Sequence, residues 1–333
     1  MKKDKTIETL RGLAILLVVI GHVIGSAAEG GMQVDDDSLL RYIYYTFIDP
    51  VQMPLFTVLA GWVYALKPSK SEIKEFVIKK VFRLLIPMLV VGACYFIVQY
   101  YTPGTNRKSD LIDLWKLIIF PYTFYWYLYS LFFVFVLIAI LDNIGKMKTI
   151  SSWMLIFILS LMALLTRDLF IPMESLNYFS YLGTLYLLPS FILGVGLFRF
   201  KVLLENQLIK NICGLLLMGC VVVQQLSWFN IIDVVLLKDN FYGLLIGFSF
   251  TILLLRSKLE INWLIWIGGL SYSIYLFHGF GTAAGRIIPR SLDVNSTALI
   301  FVTSLALGLI VPIIIDKVLD RFKITRILFL GRR

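Results

Sequence analysis

Long apolar runs separated by short polar segments dominate this chain. A helix that crosses the hydrocarbon core of a bilayer needs about 20 mostly apolar residues, and ten runs approach that length. They lie at 10–28, 47–66, 83–101, 122–141, 151–166, 179–198, 209–229, 240–256, 263–283 and 296–316. We therefore predict an all-α integral membrane protein with about ten transmembrane helices, in which residues 1–333 form one transmembrane domain. The apolar segment 110–121 precedes the fourth run, and we expect it to lie along the membrane surface.

The Lys and Arg residues indicate the orientation of these helices. If the N-terminus is cytoplasmic and the spans alternate, 23 of the 31 Lys and Arg residues fall on the cytoplasmic side. Because cytoplasmic loops of membrane proteins collect basic residues, we predict that the N- and C-termini are both cytoplasmic. The first outer loop instead carries Asp35, Asp36 and Asp37. The few outer basic residues include Arg41, Arg107, Arg286 and Arg290.

Composition excludes several classes of protein. The chain is 59% hydrophobic and only 16% charged, whereas soluble domains carry about 25% charged residues. Lipid must therefore be the solvent for most of it. The net charge of +10 follows from the basic loops, so we predict no nucleic-acid partner. The three cysteines, Cys94, Cys213 and Cys220, lie in apolar runs without metal-ligand spacing, and we predict no metal site.

Ionisable side chains inside apolar runs are candidates for function because burying them in lipid is costly. The only two histidines, His22 and His278, both lie in predicted spans. Arg11 precedes His22 by eleven residues, about three helical turns, so the two share one helix face about 16 Å apart. Counted from the outer ends of the spans, His22, His278 and Gln52 lie about 8 to 9 Å deep and Trp126 about 6 Å. We predict that these four side chains meet in the outer half of the membrane.

Further polar groups share these helix faces. Asp49 lies one turn from Gln52, and Ser271 and Tyr275 share a face with His278. Two interpretations stay open for Asp49, a partner of the site or a helix cap. Two interpretations also stay open for the histidines: they take part in the reaction, or they only bridge neighbouring helices.

The inner boundary is basic, with Arg11, Lys79, Lys80 and Arg83 at one level. In an α-helix, Lys80 and Arg83 lie one turn apart on one face. Such a cluster fits two roles, a clamp for phosphates or anchors whose charged ends reach the membrane surface.

Five segments, in order, resemble the acyltransferase 3 family of membrane acyltransferases. They are Leu10-Arg11-Gly12-Leu13-Ala14-Ile15 with Gly21-His22, Met53-Pro54-Leu55-Phe56 with Ala60-Gly61, Lys80-Val81-Phe82-Arg83 with Ile86-Pro87, Tyr125-Trp126-Tyr127-Leu128, and Leu270-Ser271-Tyr272-Ser273-Ile274-Tyr275-Leu276-Phe277-His278. Three positions depart from the family pattern. Gln52 replaces a common histidine, Lys80 an arginine and Ala60 a serine, which puts proton transfer by residue 52 and bidentate binding by residue 80 in doubt.

The resemblance implies transfer of an acyl group, usually acetyl, from cytoplasmic acyl-CoA to a hydroxyl of a cell-surface glycan or lipid-linked sugar at a bacterial cell membrane. It implies acetyl-CoA as the acyl donor and no permanently bound cofactor.

We predict that His22 is the general base and that Asp49 orients it. The predicted acyl-CoA-binding residues are Arg11, Lys80 and Arg83, and the predicted acceptor pocket comprises Gln52, Trp126, Tyr275 and His278. Direct transfer and a transient acyl-histidine both stay open.

The alternative is a membrane exporter of a glycan or lipid-linked intermediate. Polar groups in the middle of the membrane also fit such a protein. The exporter does not account for basic residues aligned below His22, and we therefore favour the acyltransferase.

Overall fold

Ten long helices make up most of the structure, a computed structural model that describes residues 4–27, 29–68, 72–106, 108–172, 174–234 and 237–332. In chain order they are α1 Lys5–Ile24, α2 Asp49–Leu66, α3 Ile86–Tyr101, α4 Trp126–Asn143, α5 Ile150–Leu165, α6 Tyr181–Arg199, α7 Gln207–Trp228, α8 Phe241–Ser257, α9 Ser271–Ser291 and α10 Thr297–Leu319. Each helix overlaps one predicted apolar run. Ala28, in the first predicted run, and Arg107, counted with the outer loops, lie outside the described residues.

Among the described residues, six helical stretches are long and apolar enough to cross a membrane. They are Lys5–Ile24, Ile73–Tyr101, Leu111–Asn143, Tyr178–Arg199, Gln207–Trp228 and Thr297–Leu319. Helices α5 and α8 are apolar but shorter, with 16 and 17 residues. Helices α2 and α9 are not among the six, and these two carry the polar candidates Asp49, Gln52 and His278. The fold is therefore an all-helical, multi-pass membrane fold, while the count of ten spans and the cytoplasmic position of the termini stay predictions.

The boundaries of α1 differ from the predicted run for a local reason. The helix begins at Lys5 rather than at residue 10 because the Asp4 side chain accepts a hydrogen bond from the Ile7 amide and caps it. It ends at Ile24, where Gly25 adopts φ +88. Arg11 and His22 thus lie on one continuous helix.

Two other predicted runs are not single α-helices. Residues 263–283 belong to two helices, Asn262–Gly269 and α9, which are separated at Leu270. The third run begins in a π-helix, Val81–Leu85, that follows the short helix Ile73–Lys80 and leads into α3.

The segment before α4 is helical but not α-helical. Residues Leu111–Ile118 form a 3-10 helix, in which Ile112 is 82% and Trp115 52% exposed. Its exposed apolar side chains fit the predicted position at the membrane surface, which stays a prediction.

Helix α1 lies at the centre of the fold. It packs against α2, α9, α10 and the helix Asn262–Gly269. Gly12 and Gly268 allow the closest approach, since a Cβ at either position would lie about 2 Å from a backbone oxygen of the other helix, at Leu264 and Glu8 respectively. Small residues at such contacts let helices approach closely in lipid, and this contact fixes the start of α1 beside the residues that precede α9.

We name the two ends of the helix bundle by residues of α1. The Arg11 end contains Arg11, Ser271 and Arg83, and the His22 end contains His22 and the loop that follows α1. At the Arg11 end, Lys5 forms an ion pair with Glu260 at 3.6 Å. The N-terminal end of α1 therefore lies at the Arg11 end.

The C-terminal segment also packs at the Arg11 end. The short helix Lys323–Leu330 contacts α3 and ends at Gly331, which has φ +60. A Cβ at Gly331 would lie 2.7 Å from the Arg83 carbonyl oxygen, so the chain turns directly against Arg83. Beyond it, Arg332 donates to Asp316 at 2.7 Å.

Three arginines hold the loop at the His22 end by its backbone carbonyls. Arg41 donates to Gly25 and Val34, Arg286 to Gly31, and Arg290 to Met32. Because a guanidinium has five donors in a fixed fork, Arg286 and Arg290 fasten the loop to the C-terminal part of α9, and Arg41 fastens it to the short helix Leu39–Ile43.

Candidate active site

The two histidines come together where α1 faces α9. The ring centroids of His22 and His278 lie 4.9 Å apart. Phe124, just before α4, packs against both rings, with centroid distances of 5.5 Å to His22 and 4.3 Å to His278. His278 is fully buried (0% exposed) whereas His22 is exposed. His22 is therefore the member of the pair that a substrate can reach.

Hydrogen bonds define the protonation of the buried ring. His278 Nδ1 lies 2.8 Å from the Tyr275 carbonyl oxygen and 3.2 Å from that of Ile274. Because a carbonyl oxygen only accepts, Nδ1 carries a hydrogen, and in the neutral ring Nε2 then keeps its lone pair. Nε2 is buried and has no partner among the described residues. An unsatisfied acceptor thus lies within the ring that faces His22.

Asp49 and Gln52 form a polar layer next to His22. The Gln52 side chain lies against Gly21, where an added Cβ would lie 2.7 Å from Gln52 Oε1. Asp49 Oδ1 accepts from the Tyr44 hydroxyl at 2.8 Å and has longer contacts, each 3.5 Å, with Gln52 Nε2 and Lys238 Nζ. The described residues show no hydrogen bond between Asp49 and His22. Asp49 therefore contacts residues beside His22 rather than the ring itself, and its role in orienting His22 stays a prediction.

Tyr275 and Trp126 differ in their relation to the histidines. The Tyr275 ring lies 5.9 Å from that of His278, and its hydroxyl donates to the Phe124 carbonyl. The Trp126 ring packs against Tyr127 and Tyr186, at 6.1 and 6.4 Å. In the described part of the chain it makes no ring contact with either histidine. Tyr275 thus lines the site that the two histidines form. Trp126 does not line it, because its ring contacts are with Tyr127 and Tyr186.

Arg11 bridges two helices at the opposite end of the same α1 face. It donates to Glu8 at 2.9 Å and to the Ser271 hydroxyl of α9 at 3.0 Å. Its side chain is 28% exposed. The helix pair α1 and α9 is thus joined by a charged contact at the Arg11 end and by the histidines about three turns away.

Lys80 and Arg83 have different surroundings. Lys80 Nζ lies 3.2 Å from the centroid of the Phe135 ring and 5.2 Å from that of Phe76, a cation–π geometry. Arg83 is exposed, and its carbonyl accepts the Tyr272 hydroxyl. The two were expected one turn apart on one face of an α-helix, and the structure instead places Arg83 within the π-helix Val81–Leu85, where the turn is wider.

Four residues of this region were not predicted from the sequence. They are Glu8, Tyr44, Phe124 and Lys238. The spacing of three between Glu8 and Arg11 is a signal that predicts their ion pair. No periodicity links Lys238, in the connection between α7 and α8, to Asp49 at the start of α2. Within the described ranges, no three His, Cys, Asp or Glu residues are placed to hold a metal ion.

Comparison with known proteins identifies the chain. Neither the curated proteins nor the solved structures that were searched match it. The family model described as an acyltransferase domain matches residues 4–317, a range that includes both histidines and the whole basic cluster at the Arg11 end. The chain therefore belongs to the acyltransferase 3 family.

Proposed function

We propose that this membrane acyltransferase moves an acyl group, acetyl in the first instance, from cytoplasmic acyl-CoA to a hydroxyl of a cell-surface glycan or lipid-linked sugar. Membership of the family supports acyl transfer. The donor, the acceptor and the bacterial cytoplasmic membrane as its location are our proposals. The observation that carries them is the exposed His22 beside the buried His278, with basic residues at the other end of the same helix face.

The dimensions of the donor support this arrangement. The pantetheine arm of CoA has roughly a dozen bonds of about 1.5 Å, so it reaches something like 15 Å when extended. The separation of Arg11 and His22 along α1 is about 16 Å. Phosphates bound at the Arg11 end would therefore leave the thioester near His22, and CoA would not have to cross the bilayer.

His22 acts as the general base in this proposal. It takes the proton of the acceptor hydroxyl while the oxygen attacks the thioester carbonyl. The tetrahedral intermediate then collapses, the carbon–sulfur bond breaks, and the proton on His22 passes to the sulfur of CoA. A new ester and free CoA are the products. His278 Nε2 has the free lone pair that can accept the N–H of the positively charged His22 ring.

Arg83 is the best placed of the proposed donor-binding residues because it is exposed. Its fork of donors suits phosphate oxygens. Arg11 is partly exposed and held by Glu8 and Ser271, so it presents a fixed positive charge. Lys80 is held over Phe135 and adds charge at the same end.

The test uses purified protein with acetyl-CoA and the glycans or lipid-linked sugars of its own membrane. We expect one free thiol to be released for each acetyl group that mass spectrometry finds on the acceptor, and about a hundredfold slower formation of this product, or slower still, with His22→Ala. An exporter would bind no acyl-CoA and acylate nothing. Absence of acyl-CoA binding by the purified wild type would overturn the proposal.

A further inference from the structure

A buried ion pair joins the C-terminal segment to α9 and α10 at the Arg11 end. Asp316 of α10 is 5% exposed, and its Oδ1 accepts from Arg332 Nη2 at 2.7 Å. The Ser273 hydroxyl of α9 also donates to this Oδ1, and Arg332 Nη2 donates to the hydroxyl oxygen at 3.2 Å. A buried carboxylate without a partner is costly in an apolar helix, so the pair fixes the place of Arg332. We name Ser273, Asp316 and Arg332 the Arg332 clasp.

The chain neighbours of the clasp contact the backbone of Arg83. Gly331, the residue before Arg332, has φ +60, and a Cβ there would lie 2.7 Å from the Arg83 carbonyl oxygen and 2.9 Å from its Cα. Tyr272, the residue before Ser273, donates its hydroxyl to the same carbonyl. The clasp thus keeps both neighbours against Arg83, one from each side of the ion pair.

The sequence explains why the Arg83 carbonyl is available to Tyr272. In an α-helix this carbonyl would accept from the amide four residues later. That residue is Pro87, which has no N–H. Arg83 also lies in the π-helix Val81–Leu85 rather than in a regular α-helix. Because this turn lacks an α-helical hydrogen bond, contacts from outside the helix help to determine its position.

The first turn of α9 connects the clasp to both arginines of the proposed donor site. Ser271, the residue before Tyr272, accepts from Arg11 at 3.0 Å, and Tyr272 holds Arg83. We infer that the Arg332 clasp is a positioning element of the donor site, which holds the turn of Arg83 so that its guanidinium meets the phosphates of acyl-CoA beside Arg11. The inference rests on the proposed function, since it concerns the same donor site.

Arg332 acts through position rather than as a ligand of the phosphates. Asp316 and Asp320 already neutralise its guanidinium, at 2.7 and 3.3 Å. A phosphate at Arg332 would meet these two carboxylates and be repelled by them. Gly331 and Arg332 also lie beyond residue 317, where the family match ends, so the family motifs assign them no role.

Asp316→Asn tests the inference because positioning and charge alone predict opposite results. The change removes a negative charge near an anion site, so charge alone predicts tighter binding of acetyl-CoA. If the clasp positions Arg83, the Kd for acetyl-CoA should instead rise about tenfold, because a misplaced binding group loses most of its contact. The Kd is measured by calorimetry on purified full-length protein.

Asp320→Asn is the matched control. It makes the same change of charge in an exposed pair, with side chains of Arg332 and Asp320 that are 38% and 46% exposed. Exposed pairs contribute little, so the Kd for acetyl-CoA should stay within about twofold of the wild type.

Turnover separates positioning from damage to the fold. With saturating acetyl-CoA and the glycans of its own membrane as acceptors, Asp316→Asn should keep the wild-type kcat, because the His22 end is unchanged. A variant that only destabilises the protein would lower the apparent kcat by reducing the folded fraction and leave the Kd of the folded protein unchanged. Thermal unfolding of each variant is measured alongside.

Gly331→Ala reaches Arg83 without changing any charge, and it decides the question even if Asp316→Asn fails to fold. Its Cβ would collide with the Arg83 backbone, so we expect the same rise in the Kd for acetyl-CoA. Unchanged or tighter donor binding by Asp316→Asn, or wild-type affinity in Gly331→Ala, would overturn the inference and leave the proposed function standing. A wild type that binds no acetyl-CoA would overturn both.

Discussion

At the scale of single residues, the two histidines differ in accessibility and in hydrogen bonding. His22 is exposed and makes no hydrogen bond with the described residues, while His278 is buried and held by the carbonyls of its own helix. A group that must meet two substrates has to be reachable, and a group that supports it has to be fixed. We therefore assign proton transfer to His22 and its electrostatic support to His278.

Replacing His22 separates chemistry from binding. We expect His22→Ala to lower the turnover number by about a hundredfold or more, because proton transfer is lost from the transition state. The Kd for acetyl-CoA should change little, since we propose that the phosphates bind at the other end of α1. Turnover is measured by thiol release and Kd by calorimetry. Full transferase activity in this variant would remove His22 from the mechanism.

Replacing Arg83 should have the opposite effect. Arg83→Ala loses a charge-assisted contact with the donor, which costs on the order of 1.5–3 kcal/mol, so we expect the Kd for acetyl-CoA to rise about ten- to a hundredfold. Lys80→Ala should weaken donor binding in the same direction. Lys79→Ala is the control, because Lys79 is exposed and paired with Glu75 at 3.0 Å. Unchanged donor affinity in Arg83→Ala would contradict the location of the phosphate site.

Residue depth along a helix was enough to place His22 and His278 at one level. It works because each histidine lies within a continuous α-helix, where the rise is about 1.5 Å per residue. Depth does not predict in which direction around the helix axis a side chain points. Trp126 was therefore predicted at a similar level, but its ring contacts Tyr186 rather than the histidines. Partners from loops, such as Lys238, have no periodic signal at all.

At the scale of elements, the apolar runs predicted ten helices, and helices overlap all ten. Hydrophobicity alone determines where such a helix lies in the chain, since lipid requires the backbone to bond internally. It does not determine the type of turn. The sequences of the π-helices Tyr44–Ile48 and Val81–Leu85 look like ordinary apolar segments; the first directly precedes Asp49 and the second contains Arg83. Angles predicted from about 100° per residue do not apply within them.

Deleting Val81 tests the role of the second π-helix. A π-turn contains one residue more than the α-turn it replaces, so the deletion should restore a regular α-helix and rotate Lys80 by about 100° relative to α3. We expect Lys80 to leave the Phe135 ring and the Kd for acetyl-CoA to rise at least about tenfold. Val81→Ala keeps the length and should retain wild-type affinity. Wild-type donor binding in the deletion variant would show that the π-helix is not needed there.

At the scale of the whole molecule, the predicted orientation can be tested directly. Asp36 is exposed at the His22 end, with 72% of its side chain accessible, and Lys74 is exposed in the helix before Arg83. In cells, Asp36→Cys should react with a membrane-impermeant maleimide added outside, and Lys74→Cys should react only after the membrane is permeabilised. The reverse pattern would place the Arg11 end outside and exclude a cytoplasmic donor.

The contact of Gly331 with Arg83 also bears on how the protein is made. Proteins generally fold from the N-terminus during synthesis, so α1 and α3 enter the membrane before Ser271 and Gly331 have been translated. During that interval Arg11 has Glu8 as a local partner, while the backbone of Arg83 has nothing in the place that Gly331 will take. The Arg11 end reaches its final form only after the ribosome has passed Gly331. If the donor binds as proposed, a chain that ends before Gly331 has an incomplete donor site, and we expect it not to consume acyl-CoA.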